Sequence, residues 1–213
     1  MITVLIVDDH DIVREGLRQI VSETPDIVVG AEARTAAEAI GQVTAQRWDV
    51  IVLDLNLPDR SGLDVLTQLR AIAPQVPVLI LSMQEQVSYA ARALKSGALG
   101  YVSKSSAREH LVNAIRKVAR GERFLTPELA EELAFDLIQP QRGETHHGLS
   151  AREFQVLCLI AAGRPPREIA VELNVSVKTV ATHRARLLGK MGLKNNAELV
   201  QYAVAHDLLP QRP

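Results

Sequence analysis

Two acidic stretches of this chain fall where chemistry would need them. "VLIVDDH" sets Asp8 and Asp9 directly behind a run of branched apolar residues, and "VIVLDLNLPDRSG" sets Asp54 behind another. Such runs read as strands buried on both faces, so each acid falls at a strand end. Carboxylates brought together repel, and at least one is pushed toward its protonated form. A hard cation such as Mg2+ relieves that repulsion through oxygen ligands. Two further strand-like runs end in other useful groups: "PVLILS" in the hydroxyl of Ser82, and "LGYVSK" in the ammonium of Lys104. A carboxylate, a metal, a hydroxyl and an ammonium together suit acceptance of a phosphoryl group. Asp54 would be the covalent nucleophile, with Mg2+ and Lys104 offsetting the charge. Taken singly, Ser82 and Lys104 are ordinary surface residues.

The elements that must position these groups follow from the hydropathy pattern. Apolar runs at 2–7, 27–33, 49–54, 77–82 and 99–103 alternate with segments of helical spacing. Those segments are marked by Ile12, Leu17, Ile20 and Val21; by Ala36, Ala39, Ile40 and Val43; by Leu63, Leu66 and Leu69; and by Leu111, Ile115 and Val118. Thr35–Glu38 and Ser106–Glu109 read as capping boxes. Continuous apolar strands separated by helices predict an α/β fold with a parallel sheet covered on both faces. Five βα units predict a flavodoxin-like, doubly wound sheet of order 2-1-3-4-5. Its ligand crevice lies beyond the carboxyl ends of strands one and three. That crevice is where Asp8, Asp9 and Asp54 would meet.

Gly121 closes the fifth helical pattern, and residues 122–148 read as a linker with one short helix, Thr126 its N-cap and Pro127 its first residue. "QPQRGETHHG" has loop composition, with His146 and His147 read as solvated rather than as metal ligands. From Leu149 onward four helical patterns follow and no strand. Ser150–Glu153 reads as a capping box, Ser176 as an N-cap, and Gly163 and Gly192 as terminators. The segments 165–174 and 176–190 are separated by a tight "NVS" turn. This is the helix-turn-helix pattern, whose second helix enters the major groove of DNA.

Charge supports that partner. The whole chain carries a formal net charge of -1, yet residues 149–213 hold nine bases against five acids. Between Leu173 and Ala197 stand Lys178, Arg184, Arg186, Lys190 and Lys194 with no acid. A basic module behind a neutral body points to an anionic polymer. Val177, Val180, Leu187, Leu188 and Met191 form the expected buried face of the second helix, leaving Thr179, Thr182, His183 and Arg186 for phosphates or base edges. The 213 residues, 47% hydrophobic, suffice for one large domain or two small ones; the patterns above favour two, expected at 1–121 and 149–213. The one cysteine, Cys158, lies in the apolar run "VLCLIAA" and reads as a buried side chain. No run approaches the roughly 20 apolar residues of a membrane span. No signal-peptide pattern is present, so the expected location is the cytoplasm.

The blocks "VLIVDDH", "VLDLNLPDRSGLDVL", "PVLILS" and "GALGYVSK", in that order, resemble the receiver domain of two-component response regulators. The resemblance implies that Asp54 accepts phosphate from a sensor histidine kinase and that Asp8 and Asp9 form the acidic pocket. It also implies that the Asn56 carbonyl completes the Mg2+ shell, that Ser82 and Tyr101 are the switch pair, and that Lys104 is the receiver lysine. One departure stands out: "KSSAREHL" has no proline after Lys104, where the family commonly has one. The stretch 149–205 resembles the LuxR-type DNA-binding domain of NarL/FixJ response regulators. That resemblance places Lys178, Thr179, Thr182 and His183 near double-stranded DNA; the basic charges of Arg184, Arg186 and Lys190 make them further expected contacts. It implies a homodimer on activation, with a face around Leu199, Tyr202 and Ala203, and RNA polymerase as a further partner. Here Ala181 stands where the family often has lysine, and "RPPR" replaces its usual polar stretch. Two other readings compete. An aspartate-nucleophile phosphatase would need a second acid two residues after the nucleophile, where this chain has Asn56. A DNA-binding regulator could instead use its receiver, unphosphorylated, as a dimerisation or ligand module.

Overall fold

In the computed structural model, residues 1–83, 87–138, 146, 149–206 and 208 are described. The linker residues 139–145 and His147 lie outside them. The described chain divides into two units, Met1–Ile138 and Gln139–Pro213.

The first unit is built on five strands, β1 (Ile2–Val7), β2 (Ile27–Ala33), β3 (Val50–Asp54), β4 (Val78–Ser82) and β5 (Gly100–Ser103). They form one sheet of order β2-β1-β3-β4-β5, and every pairing is parallel. This is the doubly wound order that the pattern predicts. The central strands β3 and β4 are buried at every residue, which is why their sequences run apolar without alternation. The covering helices are α1 (Asp11–Ser22), α2 (Ala36–Ala45), α3 (Gly62–Ile72), α4 (Val87–Lys95) and α5 (Ala107–Ala119). On α5, Leu111, Ala114, Ile115 and Val118 pack against Val52, Leu79, Leu81 and Val102 of the sheet. A sixth helix, α6 (Pro127–Ile138), falls within this unit rather than in a separate linker. On α1 the expected apolar face is narrower than the spacing implied: Leu17 and Val21 are buried, but Ile12 is 89% exposed.

Helix starts largely follow the predicted caps. The Thr35 hydroxyl accepts from Glu38 N, but the Glu38 carboxylate reaches back to Arg34 N, not to Thr35. Ser106 makes no cap bond to α5; its hydroxyl pairs instead with Ser103 Oγ at 2.9 Å. The described peptide bonds are all trans, the one after Lys104 included.

The second unit holds α7 (Ala151–Ala161), α8 (Pro166–Glu172), α9 (Val177–Met191) and α10 (Asn196–Ala205). Ser150 and Glu153 form the full capping box on α7, and Ser176 caps α9 through Thr179 N. The turn between α8 and α9 places Asn174 at φ 50°, a left-handed conformation that asparagine tolerates. Gly192 ends α9 at φ 68°. Val180, Leu187, Leu188 and Met191 are buried as expected, but Val177, expected with them, is 46% exposed. It is the first residue of α9, flanked by the exposed Ser176 and Lys178.

Gly62 opens α3 against the end of β3. A Cβ there would lie 2.4 Å from the Asp54 carbonyl oxygen and 2.5 Å from Leu55 Cα. Backbone cannot yield to such a contact as a flexible side chain can. Gly62→Ala should therefore lower stability by about 2–3 kcal/mol. Chemical denaturation followed through Trp48, the chain's one tryptophan, would measure it.

Candidate functional site

The carboxyl edge of the sheet gathers most of the acidic groups that the sequence singled out. Asp8 directly follows β1 and Asp54 is the last residue of β3; because β1 and β3 are neighbours, the two side chains meet. Lys104, directly after β5, joins them: its Nζ lies 2.6 Å from Asp8 Oδ2 and 2.8 Å from Asp54 Oδ2. All three side chains are buried. Asp9 stands beside them, partly exposed, with its Oδ1 2.8 Å from His10 Nδ1. Ser82 ends β4 fully buried, one step beyond Leu81, the register partner of Asp54. Tyr101 on β5 is 1% exposed, so its ring is already inside the fold. A switch that draws this ring inward from solvent is therefore not the movement available from this conformation.

Burial dominates the electrostatics of Asp54 and pushes its carboxyl up to about 6 from an ordinary value near 3.8. Lys104 pulls it down, Asp8 pushes it further up, and the Asn56 backbone N–H pulls it down by donating to the carboxylate. For Lys104, burial alone would lower the pKa. Its ion pairs with Asp54 and Asp8 outweigh burial and hold the ammonium above its usual range.

Ligand atoms of Asp8, Asp9, His10 and Asp54 all lie within 4.8 Å of one another. Asp54 Oδ1 is enclosed and has no hydrogen-bond partner among the described residues. A carboxylate-rich donor set with such an orphaned oxygen fits a hard divalent cation. Asn56 sits two residues on, where its backbone bridges Ser61 across the β3–α3 loop. Three contributors escaped the sequence reading. His10 donates its backbone N–H to Asp8 Oδ1 at 2.8 Å. Asp59 accepts from Ala36 N at 2.9 Å, tying the loop after Asp54 to the start of α2. Arg14 is buried on α1, and its spacing with Leu17 and Val21 was a signal that it faces inward.

In the second unit the expected DNA contacts separate into two groups. Lys178, Thr182 and Arg186 are exposed along α9, and Thr179 is half-exposed with its hydroxyl paired to Ser176. The others each have a partner or contact within the unit. Lys190, whose side chain stays partly exposed, donates to Glu153 Oε2 at 2.6 Å, a carboxylate buried at the start of α7, and so ties α9 to α7. Burial alone would raise the Glu153 pKa; Lys190 and the Ser150 backbone N–H outweigh it and hold the carboxylate below its ordinary range. Arg184 donates through Nε to Asn196 Oδ1 of α10 at 2.6 Å. His183 is half-buried with Nδ1 enclosed, and burial lowers its pKa; Glu153 opposes the shift while Arg152 and Arg186 reinforce it.

The expected dimer face also needs correction. Leu199 and Ala203 are fully buried in the unit's own core and cannot meet a second copy. Tyr202 is half-exposed, with its hydroxyl 2.8 Å from His146 Nδ1 and its ring stacked on His206 at 4.1 Å. His146, read from sequence as solvated, is buried there against Phe154 and Tyr202. The side of α10 left exposed carries Ala197, Gln201 and Val204.

An α/β receiver fold with this acidic pocket, followed by a helix-turn-helix unit, defines a class of two-module regulators. The comparisons with known proteins agree. Residues 4–116 match the response regulator receiver domain family, and residues 147–203 match the bacterial regulatory proteins of the luxR family. The chain belongs to the response regulators of the NarL/FixJ type, with a receiver domain and a LuxR-type DNA-binding domain. It is 34% identical over 209 residues to the response regulator UvrY of Escherichia coli O6:H1, covering 98% of this chain and 96% of that protein. It is 38% identical over 214 residues to the oxygen regulatory protein NreC of Staphylococcus epidermidis, covering 97% and 98%. Among solved structures, RcsB of Salmonella enterica serovar Typhimurium, bound to promoter DNA in the presence of phosphomimetic BeF3-, aligns with a TM-score of 0.67 at 26% identity, over 96% of this chain and 98% of that one. The relatives are regulators by name, in keeping with the regulator reading over the phosphatase one. Among the described residues no helix is long and apolar enough to cross a membrane.

Two stability predictions follow from the buried charges. The raised Asp54 pKa means that the folded chain holds this proton more tightly than the unfolded chain does. Stability from this group is therefore fully present below the unfolded value and lost as pH rises through about 6. In EDTA, Asp54→Asn should be more stable than the parent by about 2–3 kcal/mol at neutral pH. The difference should vanish in unfolding curves taken near pH 4. Lys190→Ala leaves Glu153 buried without its ammonium. It should destabilise the second unit by about 1–2 kcal/mol in thermal melts.

Proposed function

We propose that this chain is a phosphorylation-controlled transcription regulator of the cytoplasm. A sensor histidine kinase donates a phosphoryl group to Asp54, and the phosphorylated protein dimerises and binds a specific sequence of double-stranded DNA. The observation that carries the reading is the meeting of Asp54, Asp8 and Lys104 within hydrogen-bond distance, on a chain that also bears a basic helix-turn-helix.

The chemistry follows from the groups present. A carboxyl with a pKa of about 6 is mostly ionised at neutral pH and is available as a nucleophile. It attacks phosphorus while the bond from phosphorus to the kinase's histidine nitrogen breaks, leaving an acyl phosphate on Asp54 and a free imidazole. Asp8, Asp9, Asp54 and the Asn56 carbonyl would hold Mg2+, which offsets charge on the phosphoryl oxygens. Lys104, already held beside Asp54, supplies a second positive charge. Ser82, at the end of β4, reads the added group. Tyr101 then responds from its buried position, by a shift within the core.

On the DNA side, Lys178 and Arg186 take phosphates, and Thr179 and Thr182 lie along the groove-facing side of α9. A dimer formed through the exposed side of α10 beside Tyr202 would present two such helices to half-sites roughly 34–36 Å apart. The RcsB relative holds promoter DNA together with a phosphate mimic, which supports pairing the two events here.

The test is incubation with Mg2+ and acetyl phosphate, followed by phosphate-affinity electrophoresis and selection from random duplex DNA. Asp54→Asn should abolish the electrophoretic shift and the phosphodonor-dependent gain in dimerisation and DNA binding. Persistence of that gain would sink the proposal. Arg186→Ala should weaken binding across all sequences and lower the slope of log K against log salt by about 0.9, the value for one phosphate contact.

A further inference from the structure

The acidic pocket rests on a buried cation that the phosphorylation scheme does not use. Arg14, the fourth residue of α1, has a side chain that is 4% exposed. Its guanidinium has three partners. Nη1 donates to the backbone carbonyl of Asp8 at 2.7 Å. Nε donates to Glu32 Oε2 on β2 at 2.9 Å. Nη2 donates to the carboxylate of Asp11. Glu32 is held from a second side by Arg18 Nε at 3.1 Å, and Asp11 by Arg34 at 3.1 Å. The planar fork of arginine cannot satisfy three partners unless its plane is fixed, so the arrangement is stiff.

We infer that Arg14 is a positioning residue for the divalent cation, acting through Asp8. The inference rests on the phosphoacceptor reading of the pocket. The backbone of Asp8 is pinned on both sides: its N–H donates to Ala33 O on β2 at 3.0 Å, and its carbonyl is held by Arg14. The same residue's carboxylate contacts Lys104 and belongs to the candidate ligand set. A ligand on a fixed backbone needs no reordering to meet the metal; one on a loosened loop does. The charge of Arg14 is already matched by Glu32 and Asp11, so its contribution is geometric and not a long-range field. It also supplies a hydrogen-bond partner for that buried carbonyl.

The experiment uses the full chain. MgCl2 binding is measured by titration calorimetry, and acetyl-phosphate phosphorylation is measured against Mg2+ concentration. For Arg14→Met, the Mg2+ dissociation constant and the half-saturating Mg2+ concentration should rise about tenfold, as for other residues that orient metal ligands. The phosphorylation rate at saturating Mg2+ should stay within about twofold of the parent, since the reacting groups are intact. Arg14→Lys keeps the charge and loses the fork, so it should not restore Mg2+ affinity. Restoration by Arg14→Lys, or an unchanged half-saturation in folded Arg14→Met, overturns the inference. Glu32→Ala, which frees one arm of the fork, carries the test if Arg14→Met does not fold; its half-saturation should rise about threefold, and an unchanged value likewise overturns the inference. If the parent protein neither binds Mg2+ nor accepts phosphate, the underlying reading of the pocket has failed, an outcome separable from normal binding by the variants.

Discussion

A single ammonium spans the mouth of the sheet, and the pocket is organised around it. Lys104 starts beyond β5, yet its Nζ reaches Asp54 on β3 and Asp8 on β1. Sheet order makes that span possible. The strand between β5 and β3 is β4, and it ends in Ser82, a small side chain lying fully buried between the lysine's strand and the acids. Order β2-β1-β3-β4-β5 thus brings three residues distant in sequence within one side chain's reach. Because the charges are buried, neither sign is tolerable alone. The acids need the lysine or a metal, and the lysine needs the acids.

The same burial sets a tension between folding and chemistry. Asp54 is held where its ionised form is disfavoured, and Gly62 is required because α3 starts hard against the backbone of Asp54. Arg14, Asp59 and His10 brace the surrounding loops with hydrogen bonds to backbone or carboxylate. Local destabilisation at one buried charge, compensated by neighbours that rigidify it, is a common compromise in folded proteins.

Much of this was legible in the sequence because the sheet writes itself plainly. Strands buried on both faces read as unbroken apolar runs, and the acids at their ends were placed by the doubly wound order alone. Helix α4 was harder to locate, since its buried face is Tyr89, Ala90 and Ala93 and carries little apolar contrast. The larger errors lie in the second unit. Spacing along α9 and α10 says which residues share a face, but not whether that face meets solvent or another helix. The pairing of Lys190 with Glu153, 37 positions away, leaves no mark in the local spacing. Leu199 and Ala203 were read as a dimer surface although they are core, and His146 was taken for linker although its ring lies under α10. Long-range side-chain pairing leaves no periodic trace.

The tethers on α9 have a thermodynamic consequence. Arg184 fastens it to α10, Lys190 fastens it to α7, Ser176 caps its start and Gly192 closes its end. A helix held at so many points has little conformational entropy left to lose on meeting a ligand. Its association with DNA should resemble rigid-body docking, with a small heat-capacity change, and not coupled folding.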